Sequence, residues 1–346
     1  MKAVYIEKHG TLDEIKFGNL EPPRCKPDEV LVKTAYCALN HLDIFVTAGW
    51  VGLKLEFPHV LGSDGCGEVV ELGSEVKNIP INVGDMVTIN PGTSCGKCDI
   101  CLSGNHNFCT KFSIKGEFER GTFAEQFTVP AANVLKIPEG FPLDEAAAAP
   151  LSFLTAWRML TTKAQIKTGD FVFIQGGSGG VSLCALQIAN FFGATAIVST
   201  STEEKAQKLR ESGADYVINY NEDPDYPKYV FKEITNRQGC DIVVDSVGAA
   251  TFPTSLRMLK PGGRLVTCGA TSGPIAKINL NMVFWNQLEI LGSTMSNQRE
   301  FREVMNLVFE GKLKPIIGKE FPLSEAKEAE KYLDSGNHFG KIVLKI

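Results

Sequence analysis

Four cysteines, Cys95, Cys98, Cys101 and Cys109, form the run Cys-x2-Cys-x2-Cys-x7-Cys. Spacing this tight lets the thiolates converge on one ion, and four sulfurs leave no open coordination position. That donor set predicts one structural zinc per chain, in a lobe of about residues 91–112. An iron–sulfur cluster takes the same ligands, but the x7 spacing and the lack of a proline after Cys109 fit it poorly. Disulfides need an oxidising compartment, which no other feature supports. The remaining cysteines, Cys25, Cys37, Cys66, Cys184, Cys240 and Cys268, are scattered and read as free thiols in a reducing cytosol.

A chain of 346 residues exceeds what one core usually holds, so two domains are expected. The net charge of −5 and the absence of a basic run argue against nucleic acid or an anionic membrane as partner. Met-Lys-Ala-Val-Tyr-Ile-Glu at the start meets a second charge too early for a signal peptide, which adds to the cytoplasmic reading. Residues 171–202 carry no charge, as a membrane span would, yet Gly176, Gly177, Gly179, Gly180, Asn190 and Gly193 interrupt them. A buried strand, helix and strand explain that stretch better.

The texture changes near Pro150. Before it, short apolar alternations such as Val30-Leu-Val-Lys and Glu68-Val-Val-Glu-Leu predict a β-rich, barrel-like domain. After it the rhythm is βα, with strands at 171–174, 196–199, 216–218, 241–245, 264–267 and 289–291, and helices at 181–192 and 203–212. Strands separated by helices of that length require right-handed crossovers, hence an open parallel sheet. A helix over 299–310 and short strands ending in Lys341-Ile-Val-Leu-Lys follow, and this tail is expected to rejoin the first domain.

Where the first strand of the parallel sheet ends stands Gln175-Gly-Gly-Ser-Gly-Gly-Val-Ser. Gly177 and Gly179 take the first two glycine places of Gly-x-Gly-x-x-Gly and Ser182 the third. The first glycine permits the tight turn, the second lets backbone N–H groups reach a pyrophosphate, and a small third residue keeps helix and strand close. Ser178, Gly180 and Val181 complete the loop. The competing reading is a plain strand-to-helix turn. Thr200, 21 residues after Gly179, stands where a ribose-binding carboxylate would favour NADH. A hydroxyl there, with Ser201 beside it and Lys205 one turn further on, favours NADPH instead. Tyr220 joins the set assigned to the cofactor, and Glu203 and Glu204 read as a solvated helix start.

Together the β-rich domain, the cysteine lobe, the glycine loop and Gly213-Ala-Asp-Tyr-Val-Ile-Asn resemble the medium-chain dehydrogenase/reductase superfamily over essentially the whole chain. The resemblance implies a GroES-like catalytic domain over residues 1–155 and 296–346. It implies a Rossmann domain, a doubly wound parallel sheet, over residues 156–295. The lobe resembles the zinc-containing alcohol dehydrogenases, but the ligands of their catalytic zinc are changed. Asn40 stands at the place of the first cysteine, Ser63 and Asp64 replace the histidine and glutamate of Gly-His-Glu, and Leu151 falls at the later cysteine. Asn40 and the segment around it resemble the zinc-free quinone oxidoreductase branch. At most a weak metal site is left at Asp64, with help from His41 or His59.

Without that zinc, hydride removal from a simple alcohol lacks its Lewis acid. An activated alkene delocalises the incoming charge into its own carbonyl, so hydrogen-bond donors suffice. The expectation is therefore NADPH-dependent reduction of a quinone, enone or unsaturated acyl-CoA. Asn40 is expected to donate to the substrate oxygen and His41 to deliver the proton, with a packed or ribose-bonded histidine as its alternative role. Asp43 reads as structural. Trp50, Phe57 and Trp285 read either as cleft lining or as core. Two other readings stay open: an alcohol or aldehyde dehydrogenase with a degenerate metal site, and a noncatalytic NADPH-binding protein. The apolar edge segment Gln287-Leu-Glu-Ile-Leu predicts a homodimer or homotetramer.

Overall fold

Strand Glu29–Ala38 organises the first half of the computed structural model, which describes residues 1–77 and 79–346. It pairs antiparallel with Asp64–Leu72 along one edge, and with Gln126–Pro130 and then Lys341–Lys345 along the other. Met86–Ile89, Val134–Lys136 and Ile317–Pro322 complete a seven-stranded sheet. Both faces of the central strand are covered, which suits its run of β-branched and small apolar residues. Val30 and Val32 join Val69, Val87, Ile89, Phe127 and Val129 in one core. Cys37 and Leu39 join Leu61, Phe123, Ile342 and Leu344 in another. Each fully buried aliphatic or aromatic side chain contributes roughly 1.5–3 kcal/mol relative to exposure.

The register of this sheet decides what meets at its end. Ala38 lies opposite Asp64 on one side and opposite Val343 on the other. Counting two residues on from Ala38 and two back from Val343 sets Asn40 across from Lys341. Helix His41–Ala48 starts directly after Asn40, and helix Ala326–Asp334 packs its Ala326, Ala329 and Leu333 into the same core.

Two compact units make up the chain: Met1–Leu154 with Ser296–Ile346, and Thr155–Met295. The second unit holds a six-stranded, wholly parallel sheet. Its order is Tyr216–Asn219, Thr195–Thr200, Phe171–Ile174, Cys240–Asp245, Leu259–Thr267, Glu289–Gly292. The chain enters at Phe171–Ile174, builds outward to one edge, then returns and builds to the other. This is the doubly wound arrangement, and order reverses beside the strand that carries the glycine loop. The charge-free stretch takes the expected form: strand, helix Gly180–Phe191, strand. Among the described residues no helix is long and apolar enough to cross a membrane. Strand Glu289–Gly292 is an edge, with Ile290 40% exposed, and the neighbouring helix Leu280–Trp285 exposes Leu280, Phe284 and Trp285.

Candidate active site and nucleotide loop

All four lobe cysteines lie between residues 95 and 109, around the short helix Asp99–Leu102, and their sulfurs lie within 4.8 Å of one another. Separations of 3.5 Å for Cys98–Cys101, 3.6 Å for Cys95–Cys109, 3.8 Å for Cys98–Cys109 and 3.9 Å for Cys95–Cys101 are those of a small tetrahedron. Four sulfurs at about 2.3 Å from a central zinc would stand about 3.8 Å apart. The cluster therefore fits a structural zinc. Backbone N–H groups of Lys97 and Cys98 lower the Cys95 thiol to about 6, which favours the thiolate a metal needs. No other group of three or more such ligands converges among the described residues. His59 is spent on Gly116 O at 2.9 Å, and no cluster forms from Asp64 with His41 or His59.

In the nucleotide loop the glycine roles are redistributed. Gly176, not Gly177, takes the left-handed conformation, with φ of 64°. Gly177 is required for close approach: a Cβ there would stand 2.3 Å from Val198 Cγ1, and its N–H donates to Ser199 O at 2.7 Å. Gly179 caps helix Gly180–Phe191 with φ of −78°, and a Cβ on it would meet nothing closer than Gly176 O at 3.8 Å. The chain itself does not need a glycine at 179. Ser182 is buried and donates to Gln175 O at 2.9 Å, tying the helix to the strand end. Lys205 Nζ reaches Ser178 Oγ at 3.3 Å, so the loop and the end of strand Thr195–Thr200 are joined. Thr200 is buried, Ser201 half-buried, and Tyr220 lies exposed beside them with its N–H on Thr200 O at 3.1 Å. Glu203 pairs with Arg210 and Glu204 with Lys208, both on the solvent side of their own helix.

In the first unit Asn40, Asp64 and Lys341 form one buried constellation. Lys341 Nζ donates to Leu39 O at 2.7 Å, Asn40 Oδ1 at 2.7 Å and Asp64 Oδ2 at 3.3 Å. Asp64 is 0% exposed, and its Oδ1 accepts the Leu151 N–H at 2.9 Å. Asn40 Nδ2 donates to Asp64 Oδ2 at 3.0 Å and to Ala38 O at 3.3 Å. An ammonium only donates, so Asn40 must turn its oxygen to Lys341 and its nitrogen to Asp64. Both amide hydrogens are thereby used inside the site. Within the site Asn40 bridges Lys341 and Asp64.

Burial pushes the Asp64 carboxyl up, against the pull of Lys341, Asn40 and the Leu151 N–H. Three donors surround it and none of those contacts accepts a proton, so the constellation suits the ionised form. Asp43 accepts the N–H groups of Asn40 at 2.8 Å and Gly62 at 3.1 Å, fixing the start of the helix to the loop before Asp64. Burial raises its carboxyl to about 7. His41, the first residue of the helix, is half-buried, with its ring 6.2 Å from that of His338. Burial first, then the Lys341 charge, lowers its pKa, so the ring is neutral near pH 7. Trp50, Phe57 and Trp285 are all exposed, which removes the reading of them as core. Lys341 escaped sequence reasoning because it heads an apolar strand, where a charge looks like a solvated end.

Comparison with known proteins identifies the family. Residues 26–139 match the alcohol dehydrogenase GroES-like domain, and residues 180–310 the zinc-binding dehydrogenase model. A crystal structure of an NAD-dependent alcohol dehydrogenase superposes with a TM-score of 0.95, at 41% identity and full coverage of both chains. The chain belongs to the zinc-type alcohol dehydrogenase family of medium-chain dehydrogenases/reductases. It is an oxidoreductase of an NAD(P)-binding family. An acryloyl-coenzyme A reductase from Sulfurisphaera tokodaii is 29% identical over the whole of both chains. A 2-octenoyl-CoA carboxylase/reductase solved with NADP and 2-octenoyl-CoA aligns with a TM-score of 0.89, at 27% identity over 99% of this chain and 87% of that one.

Proposed function

We propose that this oxidoreductase reduces the conjugated double bond of an activated alkene, foremost an unsaturated acyl-CoA, with NADPH and without a catalytic metal. The observation that carries this reading is the seat of Lys341. A positive side chain stands among the residues at three of the family's ligand places, and both oxygens of Asp64 are already engaged. A second positive charge has no ligand set there, so the residues do not fit a catalytic zinc. NADPH, when bound, supplies the hydride. The chain then has only to hold the carbonyl and the proton source, because a conjugated thioester takes up the developing charge itself. His41, whose ring is neutral, is assigned the relay of that proton: one ring nitrogen takes up a proton from solvent as the other gives its own to the enolate carbon. Names of two relatives that act on unsaturated acyl-CoA support the substrate class.

The nucleotide loop supports NADPH. Lys205 Nζ stands 3.3 Å from Ser178 Oγ near the strand end, and the acidic side chains of Glu203 and Glu204 are paired with Arg210 and Lys208. Open space at Gly179, at the start of a 12-residue helix, suits a pyrophosphate. The cysteine lobe is assigned one structural zinc, and the Glu289–Gly292 edge the pairing of two copies into a dimer or a tetramer of dimers.

A second reading, alcohol oxidation with NAD, has in its favour the likeness to an NAD-dependent alcohol dehydrogenase. One experiment separates them: purified protein of measured metal content is assayed for NADPH oxidation with crotonyl-CoA, an enone and a quinone, and for NAD reduction with primary and secondary alcohols. The proposal expects about one zinc per chain and turnover with the alkenes. Two tightly held zinc ions with turnover of alcohols alone would replace it by the second reading.

A further inference from the structure

Three oxygens of different origin, a backbone carbonyl, an amide and a carboxylate, close around the Lys341 ammonium at 2.7, 2.7 and 3.3 Å. All three are hard donors of the kind that bind magnesium or manganese. Each is held from behind. Leu39 donates its N–H to Ile342 O at 3.0 Å. Asn40 is fixed through its N–H on Asp43 and its Nδ2 on Ala38 O, and Asp64 through Oδ1 on the Leu151 N–H. The cradle therefore does not depend on Lys341 alone for its shape.

We propose that Leu39 O, Asn40 Oδ1 and Asp64 Oδ2 form a cation site whose occupant is the chain's own Lys341 ammonium, and that shortening Lys341 opens this site to an external divalent metal ion. Lys341 is then a positioning residue. It orients the Asn40 amide, compensates Asp64, and excludes metal from the place by occupying it. The inference deepens the metal-free reading of the site, and it is tested without turnover, so the two can fail separately.

The probe is Mn2+, added to protein whose cysteine lobe has first been filled with zinc, and binding is read by the loss of the free-ion electron paramagnetic resonance signal. Lys341→Ala is expected to bind one Mn2+ per chain at least tenfold more tightly than the unmodified protein, and Lys341→Ala/Asp64→Asn to lose that binding. Equal binding by the unmodified protein would overturn the claim that Lys341 fills the site. A folded Lys341→Ala chain that binds no Mn2+ would overturn the cation site itself. Where Lys341→Ala is unstable by itself, Mn2+ should raise its melting temperature and leave that of the double variant unmoved. No rise, or an equal rise in both, counts against the proposal.

Discussion

Glu330 is fully buried on helix Ala326–Asp334, and neither of its carboxylate oxygens has a hydrogen-bond partner among the described residues. Burial, reinforced by the charge of Asp43, pushes its pKa well above 4.5, so the folded chain holds a proton that the unfolded chain releases. Stability from that bound proton is fully present below pH 4.5 and is lost as the pH rises through the folded value. Glu330→Gln cannot ionise. Its urea midpoint should match the unmodified protein near pH 5 and exceed it at pH 8, the gap widening by up to about 1.4 kcal/mol per pH unit across the window. Parallel curves would mean that Glu330 is already ionised in the fold. Thr200 decides a different matter at the same scale. Thr200→Asp places a carboxylate beside Lys205 and Ser201, where we propose that the 2′-phosphate binds, and should turn the proposed preference for NADPH of about tenfold into a preference for NADH. Fluorescence titration with both nucleotides checks it, and an unchanged ratio would remove Thr200 from the cofactor set.

Two glycines of one loop give opposite expectations for the strand–loop–helix element. Gly177→Ala forces a methyl against Val198 and Leu209, both buried, so the parallel sheet has to shift and the melting temperature should fall by several degrees. Gly179→Ala meets no close atom and keeps an ordinary φ, so the fold should be unaffected while NADPH binding weakens at least tenfold. Full NADPH affinity in Gly179→Ala would put the pyrophosphate elsewhere. What was legible in the sequence follows from the range of the interactions. The four cysteines lie within 15 residues and the glycines within five, so their spacing alone marks them, although Ser199 and Lys205 close the glycine loop from more than 20 residues away. The βα rhythm likewise fixed most of the second unit, with helix ends shifted by a residue, as for 203–212 against Glu203–Glu211. Lys341 and Glu330 were not legible, because strand register and helix packing bring them to the site, and no local pattern marks a lysine that will face a carboxylate 277 positions away.

For the whole molecule, the proposed assembly rests on the exposed edge Glu289–Gly292. Ser293 donates its N–H to Thr267 O, so by alternation the Ile290 N–H points away from the sheet. Ile290→Pro removes a donor available to a second copy while leaving the bonds to Leu259–Thr267 in place. Sedimentation should show dimers or tetramers for the unmodified protein and a shift toward monomer for the variant, with NADPH binding retained. A monomer before any substitution would mean that another segment covers the edge. The seat of Lys341 also bears on biosynthesis. Asn40 and Asp64 are made early, but the ammonium that compensates them lies 301 residues after Asn40. While the polypeptide is still on the ribosome, residues 155–295 have all their strands and can close as a unit, whereas the first unit must wait with a carboxylate it cannot yet bury. A nascent chain stopped after residue 295 should therefore be cut by protease within its first 154 residues and resist within the rest, with the last strand acting as the latch that ends the wait.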